Sequence, residues 1–228
     1  MPWSSSHSPR PGSPTRRNAA ASSRIAVNAS WSRVQRTRAR LSGRDTGQVP
    51  FIETIGSREV YRNPWMVLRE DDIRRPDGSP GVYAVVDKPT YALVMAYDGA
   101  RFRLVEQFRY PVGARRWEFP QGTAPDLADL EAVALAEREL REETGLRAAT
   151  FELLGQLDVA PGMSSQRGWV FLATGITPGP VEREHEEQDM RSAWFSRLEL
   201  EEMIRDGVIT DAQSIAAYGL LLLREARL

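Results

Sequence analysis

The chain has 228 residues, 41% of them hydrophobic, enough for one sizeable globular core. It contains no cysteine, which excludes disulfides, thiolate metal sites and a cysteine nucleophile, and no run of 18 apolar residues that would predict a membrane-spanning helix, so the cytoplasm is the expected compartment. The net charge of −1 hides an asymmetry: residues 1–45 hold nine Arg against the single acid Asp45, leaving −9 on the rest.

Residues 1–48 are rich in Ser, Arg, Ala and Pro and lack apolar periodicity, so disorder is expected there. Three readings stand: a dispensable tail or upstream start site, an Arg- and Ser-rich transit peptide, or a polyanion-binding arm. Arg16-Arg17 precedes no apolar stretch, which argues against a twin-arginine export signal. A folded unit is expected over 49–228, with N-terminal strands in 49–87 and the main body in 88–228. Val60-Tyr61 and Trp65–Leu68 read as short strands, and Pro76-Asp77-Gly78 as a turn. Strands follow at Val82–Val86, Tyr91–Tyr97 and Phe102–Phe108, the last two joined through Asp98-Gly99. A helix is expected up to Thr144-Gly145, with Gly145 as its left-handed stop. Beyond it come strands at Phe151–Val159, Trp169–Ala173 and Ala193–Phe195, then two helices. For the last helix Thr210 and Gln213 predict a capping box, and the run Ile215–Leu223 is expected to be largely buried. Strands on both sides of a central helix, with helices at the end, fit an α/β/α sandwich on a mixed β-sheet. Tyr61 and Trp65 either pack in the core or stack on a base, core packing being the simpler reading.

The most informative stretch is Arg138-Glu139-Leu140-Arg141-Glu142-Glu143-Thr144-Gly145-Leu146. Glu139, Glu142 and Glu143 stand at i, i+3 and i+4 and share one helix face. Read alone, such a string is most often a solvated face laced by Glu137–Arg141 and Arg138–Glu142 pairs. Three like charges in one patch also suit a hard divalent cation, which takes carboxylate oxygens and bridges them to phosphates. The acidic balance of residues 46–228 points the same way, because an acidic domain needs cations to hold an anionic substrate.

The flanks decide between these readings. Trp117-Glu118-Phe119-Pro120-Gln121-Gly122 leads through a loop into the helix, and the whole resembles the Nudix hydrolase signature, Gly-x5-Glu-x7-Arg-Glu-apolar-x-Glu-Glu-x-Gly-apolar. Arg138 to Leu146 matches at every specified position. The front half departs: Gly122 lies sixteen residues before Arg138, about two more than the signature has, and Leu130 falls where its first Glu is expected. Gln107-Phe108-Arg109-Tyr110-Pro111, Trp117–Gly122 and a Pro fifteen residues past the box at Pro161 are similar to the ADP-ribose pyrophosphatases of that family.

That resemblance implies a Nudix-type α/β/α sandwich with additional antiparallel N-terminal strands, and Mg²⁺-dependent hydrolysis (with Mn²⁺ as the alternative) of a nucleoside diphosphate sugar, ADP-ribose giving AMP and ribose 5-phosphate. It implies metal contacts from Glu139, Glu142, Glu143 and the Gln121 carbonyl. Glu186 or Glu187 is the expected base beside Glu142, with His185 as a substitute, in an acidic loop that otherwise reads as a solvated segment. Expected substrate contacts are Arg109, Glu118, Gly122, Pro161 and Met163. Arg109 read alone is either a phosphate clamp or a surface partner of Glu106 or Glu118, and Pro161-Gly162 is also an ordinary turn pair. By analogy the protein is a homodimer through its N-terminal strands, with no nucleic-acid or membrane partner. Two other functions remain: hydrolysis of another nucleotide sugar such as GDP-mannose, and a non-catalytic nucleotide sensor, against which the three surviving carboxylates argue.

Overall fold

In the computed structural model, residues 51–123, 131–182 and 188–227 are described. Their centre is a mixed seven-stranded sheet with helices on both faces, preceded by a separate antiparallel sheet. The N-terminal sheet is a meander of β1 (Glu53–Asn63), β2 (Met66–Arg74) and β3 (Pro80–Asp87). Its first turn is held by Asn63, whose Oδ1 accepts from the N–H groups of Trp65 and Met66, both at 2.9 Å. The second uses Gly78 at φ +85°, where only glycine is unstrained. Both strands of the first hairpin are longer than the short runs their β-branched residues predict. Tyr61 and Trp65 are 53% and 64% exposed, so the expectation that they pack in the core is overturned. A meander with no layer against that face leaves them in solvent.

The central sheet has the order β12-β5-β4-β10-β9, built from β4 (Tyr91–Tyr97), β5 (Arg101–Arg109), β9 (Thr150–Asp158), β10 (Arg167–Thr174) and β12 (Arg191–Ser196). β10 runs parallel to β4, and the other pairings are antiparallel. β4 and β5 pair only next to their turn, at Ala96–Arg103 and Tyr97–Phe102, and then diverge. Two short strands fill the divergence: β6 (Ala114–Glu118) pairs with β5, and β7 (Gln121–Thr123) pairs with β4. Pro120 lies between them, and its carbonyl accepts from Val94 N–H at 2.8 Å. A minor ribbon joins β8 (Leu146–Arg147) to β11 (Thr177–Pro178).

β4 alternates in the manner of a strand buried on both faces. Ala92, Val94 and Ala96 face a cluster with Leu135, Ala136 and Leu140 of α1 (Ala132–Thr144). Tyr91, Leu93 and Met95 face the other cluster, which holds Leu200 of α2 (Arg197–Arg205) and Ala217, Tyr218 and Leu221 of α3 (Ala212–Glu225). The small residues on the α1 side let that helix approach the strand closely. α1 ends at Gly145, φ +70°, whose N–H returns to the Arg141 carbonyl, the left-handed stop its sequence predicts.

Two expectations about the last helices are corrected. The N-cap of α3 is Asp211, whose side chain accepts from Ser214 N–H, and not Thr210; the capping box belongs to α2, through Ser196 and Glu199. The run Ile215–Leu223 is only half buried, with Ile215, Leu222 and Leu223 39%, 42% and 66% exposed. A helix lying on a sheet covers one stripe, and a continuous apolar run cannot all lie within it.

Candidate active site

The carboxylates of α1 are held where strand and helix touch. Glu139 and Glu143 are buried, and Glu142 keeps 16% of its side chain in solvent. At Gly122 an added Cβ would stand 2.2 Å from Glu139 Oε2, so a side chain there would displace the Glu139 carboxylate from its place against β7. Gln121 N–H donates to Glu143 Oε2 at 3.2 Å. Arg138 donates to the Thr123 carbonyl and to Glu139 Oε1, both at 2.8 Å, and pairs with Glu142 at 3.2 Å. Arg138 thus ties the helix to the start of the loop and partly neutralises the acidic face.

Among the described residues, no three acidic or histidine side chains converge on one point. The donor set nevertheless fits a hard divalent cation in kind: three carboxylates on successive turns of one helix face, two of them buried, beside the start of β7, where Gln121 N–H reaches Glu143. A buried carboxylate needs a compensating charge, and Arg138 partly fills that role in this arrangement.

A cavity of about 580 Å³, which meets this face through Gln121 and Gly122 and not through the carboxylates themselves, is lined by residues of β6, β7, the 3-10 turn after β5 and the N-terminus of α3. Of the expected substrate contacts, Arg109, Glu118 and Gly122 line it, as does Gln121. Arg109 pairs with the buried Glu118, one of the two partners its sequence position allows, and keeps 40% of its side chain exposed. Glu106 pairs instead with Arg115 at 3.0 Å. Gln107 Nε2 also donates to Glu118 at 2.6 Å. Burial raises the Glu118 carboxyl above its ordinary value, and Arg109 opposes the shift.

Pro161 and Met163 are exposed on the loop between β9 and β10 and are not among the lining residues. That loop is fastened to β3: Val86 N–H donates to the Met163 carbonyl at 2.8 Å, Ser164 Oγ to the Val86 carbonyl at 3.0 Å, and Tyr83 Oη to the Gly162 carbonyl at 2.9 Å. Glu186, Glu187 and His185 lie outside the described residues. The described residues flanking them are anchored. Glu182 pairs with Arg141 and Arg147 at 3.2 and 3.3 Å, and Asp189 with Arg115 at 2.5 Å.

Sequence reasoning missed several cavity residues: Lys88, Tyr91, Arg116 and Asp211. Lys88 carried a signal, as the single lysine of the chain. Asp211 sits one position from the expected cap. Tyr91 and Arg116 carried none, because each reaches the cavity only through the sheet.

The chain is similar to known proteins along most of its described length. The sequence profile described as NUDIX domain matches residues 87–218, and that of a nucleoside diphosphate sugar hydrolase N-terminal domain matches 52–86. An ADP-ribose pyrophosphatase of Mycobacterium tuberculosis is 37% identical over 167 residues, 72% of this chain and 80% of that one. One from Bacillus subtilis is 27% identical, covering 76% and 94%. A crystal structure of an ADP compounds hydrolase shares the fold, with a TM-score of 0.68 at 19% identity over 79% of this chain and 96% of that one.

Proposed function

The chain belongs to the NUDIX family, and on that premise we propose that it is a pyrophosphohydrolase that splits the diphosphate of a nucleoside diphosphate sugar, ADP-ribose giving AMP and ribose 5-phosphate. The observation that carries this reading is the juxtaposition of Glu139, packed under Gly122, with a cavity lined by Gly122 and the half-exposed Arg109. The relatives named ADP-ribose pyrophosphatase and the match of residues 52–86 support the substrate class. Glu139, Glu142, Glu143 and the Gln121 carbonyl would hold Mg²⁺, with Mn²⁺ as the alternative. Such ions, when bound, supply Lewis acidity and a more acidic water.

The chain's own groups do the rest. Arg109, braced by Glu118 and Gln107, offers a guanidinium to a phosphate oxygen and offsets charge that builds there. Gln121 N–H and Arg138 fix the carboxylates before substrate arrives, which removes reorganisation from the reaction itself. Glu186 or Glu187 takes the proton of the attacking water. Pro161 and Met163, on the loop fastened to β3, would border the substrate from the N-terminal side. The catalytic unit is 88–228 in this reading. Residues 49–87 supply the exposed face through which two copies pair, with Tyr61 and Trp65 at that face.

Glu143→Gln is the test. AMP release from ADP-ribose with Mg²⁺, followed by mass spectrometry, should fall about 10³-fold, while the thermal melting of the variant stays near that of the parent. EDTA should stop the parent reaction. Parent-like turnover by the variant would sink the assignment. A substrate panel that includes GDP-mannose decides the preferred nucleotide sugar.

A further inference from the structure

The cavity wall on the α3 side carries polar groups that the proposed hydrolysis does not use. Tyr91 is 4% exposed and lines the cavity, yet its hydroxyl is buried with no hydrogen-bond partner. Its ring is pinned. Gly168 is its register partner on β10, and a Cβ there would stand 2.0 Å from the ring. Asp211 lines the same cavity. The two hydrogen bonds that the Asp211 carboxylate accepts among the described residues, from Ser214 N–H at 2.8 Å and Gln121 Nε2 at 3.1 Å, both use Oδ2, leaving Oδ1 as an acceptor. The charge of Asp211 is felt at the Tyr91 phenol, which burial first and Asp211 second push well above its ordinary value. The phenol is therefore protonated and able to donate.

A buried hydroxyl without a partner is costly unless a ligand or water completes it. A carboxylate that only accepts, beside a phenol that both donates and accepts, does not suit a phosphate, whose oxygens cannot donate to the carboxylate. It does suit an alcohol, which gives its proton to Asp211 and receives one from Tyr91.

We propose that Tyr91 and Asp211 form a hydroxyl-reading subsite that recognises a sugar of the nucleoside diphosphate substrate. The inference rests on the hydrolase reading above and adds to it a sugar contact at the N-terminus of α3, on the opposite face of the sheet from α1.

Three substrates and two variants test it. ADP-ribose carries both sugars. ADP esterified to a simple alkyl alcohol lacks the distal sugar, and a 2′,3′-dideoxy ADP-ribose lacks the nucleoside hydroxyls. Tyr91→Phe removes one oxygen atom, and Asp211→Asn keeps an effective N-cap. Each should lower kcat/KM on ADP-ribose about tenfold relative to one of the two analogues, and that analogue identifies the sugar that is read. If a variant changes all three substrates by the same factor, or none of them, the pair is structural or water-bridged and the subsite is wrong. Should the parent cleave the diphosphate of none of the three, the hydrolase reading fails first and the subsite falls with it. Thermal melting of both variants confirms that they are folded.

Discussion

The two sheets of this protein are built on opposite terms. In β4 six of seven residues are buried, and the strand faces a hydrophobic cluster on each side. In the three N-terminal strands only Asp71 and Ile73 are buried, while Val60, Tyr61, Val82 and Tyr83 stand in solvent beside Trp65. Ion pairs such as Arg58–Glu70 at 2.5 Å and Arg74–Glu53 at 2.9 Å cross that sheet, and exposed pairs of this kind contribute at most about 1 kcal/mol each. The central sheet carries its own stability. The N-terminal sheet has the composition of a surface that is completed by something else, and a second copy of the chain is the partner proposed for it.

The largest effect that sharpens this contrast is expected at Leu93, fully buried on β4. Leu93→Ala should destabilise the fold by about 3 kcal/mol in urea titration. A loss below about 1 kcal/mol would mean that the central core collapses around the gap, and the contrast would weaken.

Next is Trp65→Asp, which should weaken self-association by about 2 kcal/mol. Light scattering across a dilution series reads it, with the parent dimeric and the variant shifted towards monomer. A parent that is monomeric throughout breaks the proposed role of this sheet.

The smallest effect belongs to Tyr218, whose hydroxyl contacts Glu201 and Arg197. Burial foremost, and the bond to Glu201, raise its phenol from 10.0 to about 12. The fold holds this phenol protonated more firmly than the unfolded chain does. The stability it contributes is whole below pH 10 and is lost as the pH rises through about 12. Tyr218→Phe should flatten the decline between those values and cost about 1 kcal/mol at neutral pH. An unchanged alkaline profile would place the sensitive group elsewhere.

How much could be read in advance follows from the range of each interaction. The face bearing Glu139, Glu142 and Glu143 was legible because helical spacing alone puts these residues together. The Gly145 stop was legible because a left-handed residue at a helix end selects glycine. The capping of α3 was misplaced by one position because Thr210 and Asp211 are both good caps by type, and only the direction of the side chain separates them. Burial of Tyr61 and Trp65 was misjudged because apolar character does not say whether another layer lies opposite.

The amino-acid sequence by itself determined the chemistry of the α1 face, the glycine that ends its helix and the strand pattern of the central sheet, since each rests on neighbours within a turn or a strand. Tertiary structure alone decided that Arg109 leans on Glu118 and that Gly122 meets Glu139. It also decided that Tyr91 and Asp211 share one wall. These contacts join residues far apart in the chain, and they exist only because β4 and β5 diverge and β6 and β7 close the gap.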